Sequence, residues 1–153
     1  MSLRTLKTRA LRWRARLIPE SRGLGWAPFL WLGYLAFPLL PLFAGWLHGT
    51  GIVLTLLSIP LFLLLYFLAY RLEGAALVAT VLAIAALGFV LTPWNPFANA
   101  YLIYAAGFLP GMLGSLPRSI AVLVLMSALY ALQTWWQGLH WLTPAIAFLI
   151  GVS

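Results

Sequence analysis

Five stretches of this chain run for 17 to 20 residues without a single Asp, Glu, Lys or Arg, and only four to six residues separate one from the next. They are Ala27 to Trp46, Ile52 to Tyr70, Ala75 to Leu91, Phe97 to Leu113 and Ile120 to Trp136. A helix rises about 1.5 Å per residue, so each covers much of a hydrocarbon core of ~30 Å. The runs are apolar on every face and too long for barrel strands, which use about ten alternating residues, so the spacing predicts an all-α polytopic transmembrane bundle. Connections this short force neighbouring helices to run antiparallel and leave no room for an inserted soluble module.

A sixth run, Trp141 to Val152, stops beside the last residue, Ser153. It would climb only about 18 Å and reads as an incomplete span. The expected organisation is therefore a basic cytoplasmic or interfacial segment over 1–26 and a transmembrane domain over 27–153. A composition that is 64% hydrophobic and 7% charged excludes a water-exposed catalytic domain, and the absence of cysteine excludes disulfides and thiolate metal sites.

The cations give the expected orientation. Seven of the nine precede Ala27 (Arg4, Lys7, Arg9, Arg12, Arg14, Arg16 and Arg22), while Arg71 falls in the second connection and Arg118 in the fourth. By the positive-inside rule the N-terminus is cytoplasmic. Trp46, Trp94, Trp135, Trp136 and Trp141 then collect at the outer boundary as an aromatic belt. In the basic segment Leu3, Leu6, Ala10, Trp13 and Leu17 recur at helical steps, so Arg4, Lys7, Arg9, Arg12, Arg14 and Arg16 would lie on the anionic lipid surface. A nucleic-acid arm and a transit peptide are the rival readings, disfavoured because a span follows within a few residues.

Within the spans there is no mid-membrane ionisable group to mark a proton or ion path. Arg71 and Glu73 share the inner turn, either as a switchable interfacial pair or as a solvated turn. His48 and His140 fall at the outer face without carboxylate or thiol companions and read as interfacial residues rather than a metal site or pH sensor. Pro38 and Pro41 in the first span, Pro60 in the second and Pro110 in the fourth mark either hinges or tolerated kinks. Gly107 with Gly111, and Ala75 with Ala79, have the small-xxx-small spacing that permits close helix contact. No nucleophile, base and acid occur together, and the only acids are Glu20 and Glu73, so this chain carries no catalytic site and no cofactor site of its own.

Polar residues crowd the start of the fourth run, NPFANAYLIYAAGF. Asn95 and Asn99 are expected at the outer boundary, capping the helix, with the Tyr101 and Tyr104 hydroxyls near headgroup level. Such a clamp on a 17-residue span would be strained by a thicker bilayer and would bias helix tilt or rotation. The alternative is a cap and aromatic belt with no sensing role.

This stretch, the first span APFLWLGYLAFPLLPLF, the Tyr70-Arg71 end of the second span and the glycine before the third resemble the membrane sensor region of DesK-type histidine kinases. The resemblance implies a bacterial inner-membrane input domain that detects lipid order, thickness or temperature, works as a homodimer and signals to a response regulator. It also implies a following kinase half with a phospho-accepting histidine, ATP and Mg²⁺; His140 has no acidic residue after it and does not match that histidine. A small transporter or channel, for which the polar candidates are Thr55, Ser58, Thr80 and Ser127, and a structural membrane subunit are the competing classes.

Overall fold

The computed structural model of the chain describes residues 27–138, and every regular element among them is helical. The basic segment 1–26 with its arginines and Lys7, the sixth run 141–153 and His140 lie outside the described residues. The elements are α1 (Ala27–Trp31), a 3-10 turn (Leu32–Leu35), α2 (Ala36–Phe43), α3 (Thr50–Ala69), α4 (Gly74–Leu91), a second 3-10 turn (Pro96–Asn99), α5 (Ala100–Leu113) and α6 (Leu116–Trp136).

Three of these, α3, α4 and α6, are long and apolar enough to cross a membrane. The other two expected spans are shorter than their apolar runs. Pro38 has no N–H and its ring crowds the carbonyl four residues back, at Tyr34, which is where the first helix tightens to 3-10 geometry. That helix then ends at Phe43 rather than Trp46. Gly45 takes φ +71°, its N–H bonds the Leu42 carbonyl at 3.3 Å, and Trp46 N–H reaches back to the Pro41 carbonyl at 2.9 Å. This pair of bonds is a Schellman cap, which needs a residue at ease with positive φ. The fourth run likewise opens as 3-10 turn and leaves α5 with 14 residues, about 21 Å. The fifth starts earlier than expected: Ser115 is extended and Pro117 sits in the first turn, so Arg118 lies on α6 and not in the connection.

Short connections turn successive helices back on one another. Arg71 and Arg118 thereby share one end of the bundle, and Trp46, Trp94, Trp135 and Trp136 the other. Helix α4 packs most extensively on α3 and α5, and α2 rests on the Pro96–Asn99 turn. Helix α6 buries only Ser119, Tyr130 and Thr134, leaving most of its apolar surface outside.

The distribution of residue types around α3 is inverted relative to a soluble helix. Its buried positions are Gly51, Thr55, Ser58, Phe62, Tyr66 and Ala69, spaced by three and four, whereas Leu56, Leu57, Leu61 and Leu64 face outward. Small, hydroxyl and aromatic side chains inside and aliphatic ones outside is the arrangement that a hydrocarbon solvent favours, because leucine gains nothing there from being hidden.

The closest approach of α4 to α5 occurs at Gly88, where a Cβ would meet two Leu102 side-chain carbons at 3.0 Å and the Ala98 carbonyl at 3.3 Å. Gly88→Val is expected to destabilise the bundle by about 2 kcal/mol through overpacking. Gly107→Val, at a site with nothing within 4 Å, is the comparison. Equal losses in a detergent unfolding titration would contradict this contact.

Candidate functional site

The polar groups of the interior form one connected column along the inner face of α3. At its upper end Asn95 is buried and satisfies three partners. Its amide donates to the Pro38 carbonyl at 2.8 Å and to Thr55 Oγ1 at 3.1 Å, and its Oδ1 accepts from the Phe97 N–H at 3.0 Å. One side chain thus caps the Pro96–Asn99 turn and ties α2 to α3. One helical step down, Ser58 Oγ donates to the Thr55 carbonyl at 2.7 Å. With that proton committed, the Tyr101 hydroxyl donates to Ser58 Oγ at 2.8 Å.

Below this lies an aromatic tier. Phe62 is fully buried, with ring centroids 4.8 Å from Tyr101, 4.6 Å from Tyr104 and 5.5 Å from Tyr66. The Tyr66 hydroxyl donates to the Pro28 carbonyl at 2.8 Å, and the Tyr104 hydroxyl to the Trp31 carbonyl at 2.7 Å. Both acceptors belong to α1, so the first helix is moored at three levels: Pro28, Trp31 and Pro38. The Tyr66 and Tyr70 hydroxyls lie 3.2 Å apart at the foot of the column. Helix α6 is attached more loosely, through Tyr130 to the Pro96 carbonyl at 3.3 Å and Gln133 to the Phe89 carbonyl at 2.7 Å.

Several expectations change on this geometry. Asn95 does cap a helical start, but from the interior rather than the water boundary. Asn99 is half-buried at the start of α5 and makes no side-chain cap bond. Tyr101 and Tyr104 are buried with their hydroxyls bonded inside the bundle, not held at headgroup level, because Ser58 and the Trp31 carbonyl offer partners that hydrocarbon does not. Pro38 and Pro41 are buried against the column, whereas Pro60 and Pro110 are exposed. Arg71 and Glu73 are exposed in the turn between α3 and α4. Gly107 and Gly111 touch no neighbouring helix and line a cavity instead. The residues missed at first are Thr55, Ser58, Phe62 and Tyr66, whose spacing on one face of α3 was the available signal.

The arrangement holds helices in register by bonds that lipid cannot replace. Among the described residues no group of three His, Cys, Asp or Glu comes together to hold a metal ion, and His48 is exposed. Comparison with protein families, with curated proteins and with solved structures finds no match to this chain.

Proposed function

We propose that this chain is the membrane-embedded input domain of a DesK-type sensor histidine kinase, coupling the state of a bacterial inner membrane to a cytoplasmic kinase. In this reading the N-terminus is cytoplasmic, residues 27–136 cross the membrane five times and 141–153 begin a sixth crossing. The domain pairs with a second copy, and ATP, Mg²⁺ and the response regulator belong to the kinase half.

The observation that carries the proposal is the polar column that moors a proline-broken first helix to α3 and α5 while α5 itself spans only about 21 Å. A short helix bonded laterally to a longer one cannot tilt independently when the bilayer thickens, so mismatch acts on the column as a unit. A thickness change of about 5 Å, at a few tenths of a kcal/mol per Å, supplies on the order of 1 kcal/mol, or about a fivefold shift between two arrangements. Thr55 and Ser58, the residues a transport path would need, are engaged in these internal bonds, which favours the sensor over the transporter reading.

The test is to express the complete gene product, including whatever the reading frame encodes beyond Ser153, and follow autophosphorylation with labelled ATP in bilayers of increasing acyl-chain length. The proposal expects a change of about fivefold across the series. A kinase with no lipid dependence, or a reading frame without a kinase, would overturn it and leave a transporter or structural subunit.

A further inference from the structure

At the end of the bundle that carries Arg71 and Arg118, a cavity of about 690 Å³ opens between α1, the end of α3, the start of α4 and the second half of α5. That volume lies within the range of small-molecule sites. Its character differs from the lipid-facing surface, which is built of Leu and Val. The walls are the rings of Trp31, Tyr34, Tyr66, Tyr70, Tyr104 and Phe108, with Glu73 also on the lining.

Tyr66, Tyr70 and Phe108 stand at 64–83° to one another with centroids 5.0–6.0 Å apart, so their planes form adjoining walls rather than a stack. Two of the rings are fixed in place, since the Tyr66 and Tyr104 hydroxyls are bonded to α1 carbonyls. The opening is kept by glycine: a Cβ at Gly107 or Gly111, one turn apart on α5, would meet nothing within 4 Å. Aromatic faces present negative potential, and a carboxylate on the same lining adds to it. Glu73 already interacts within the chain, but a carboxylate offers about four acceptor positions and can serve a second cation.

We propose that this cavity binds an organic ammonium group carried on an alkyl chain, supplied either by a membrane lipid with an amine headgroup or by a free cationic amphiphile. The rings take the ammonium by cation–π contact, Glu73 supplies the charge, and the alkyl chain leaves along the apolar wall made by Leu77, Ile103 and Met112. An anionic headgroup is opposed by Glu73, and a neutral one gains nothing from the ring faces. The inference does not depend on the signalling proposal.

The full chain, labelled with fluorotyrosine and held in a maltoside detergent, is titrated with dodecyltrimethylammonium and with dodecanoate while the Tyr70 resonance, assigned through Tyr70→Phe, is followed. The ammonium compound should move that resonance with an affinity about tenfold tighter than dodecanoate. Glu73→Gln, a substitution in an exposed turn, should weaken it several-fold, and Gly107→Leu with Gly111→Leu should abolish it while circular dichroism stays unchanged. In nanodiscs, a Tyr70 resonance already shifted by phosphatidylethanolamine relative to phosphatidylglycerol alone identifies the lipid as the source. A resonance that moves only on adding the free amphiphile identifies the latter. Equal responses to ammonium and carboxylate, or a response that survives filling the cavity, would overturn the proposal.

Discussion

Phe62→Ala is expected to lower the stability of the bundle by about 3 kcal/mol, the largest effect of any single truncation considered. The ring is completely enclosed and touches Tyr66, Tyr101 and Tyr104 at centroid distances of 4.6–5.5 Å. Lipid on the outside does not diminish the loss, because the cavity left behind forfeits dispersion contacts that acyl chains cannot reach to restore. The rings on either side of the gap also lose the wall that orients them, so the Tyr101–Ser58 bond should loosen as well. Leu64→Ala supplies the control: Leu64 is on the same helix, 65% exposed, and should change stability by less than about 0.5 kcal/mol. Reversible unfolding in mixed micelles measures both, and similar values for the two would show that the aromatic tier is not the core.

Asn95→Leu should cost about 2 kcal/mol, because it leaves the Pro38 carbonyl and Thr55 hydroxyl without their shared donor and uncaps the Pro96–Asn99 turn. The neighbouring amide separates this from a general effect of removing polarity. Asn99 makes no cap bond through its side chain, so Asn99→Leu should be nearly silent. The chain contains no cysteine, which lets a single Phe37→Cys report whether α2 has lifted away. Faster thiol labelling at that position in Asn95→Leu, but not in Asn99→Leu, is the expected result. Equal labelling would mean that α2 is held by packing alone.

The helices themselves were legible from the absence of charge over 17 or more residues, and the break in the first from Pro38 and Pro41. What the one-dimensional pattern could not convey was the partner of each polar group. Asn95 announces a helix start, but its bond to the Pro38 carbonyl joins residues 57 positions apart, and no local spacing encodes that. Tyr101 and Tyr104 read as headgroup anchors because tyrosine is amphipathic; only the register of α3 against α5 brings Ser58 and the Trp31 carbonyl within reach. Gly107 and Gly111 have the spacing of a helix contact, yet the same lack of side chains equally well preserves an empty volume, and packing alone decides between the two.

The two 3-10 turns give the bundle an adjustable height. A 3-10 helix rises about 2.0 Å per residue against 1.5 Å in an α-helix, so four residues that change from one winding to the other alter an element's length by about 2 Å without moving either end sideways. Leu32–Leu35 and Pro96–Asn99 are both four residues long, and Asn95 ties the second turn to the helix that follows the first. Rewinding in one is therefore mechanically felt by the other, and the span of the molecule can follow its surroundings by a change of pitch as well as of tilt.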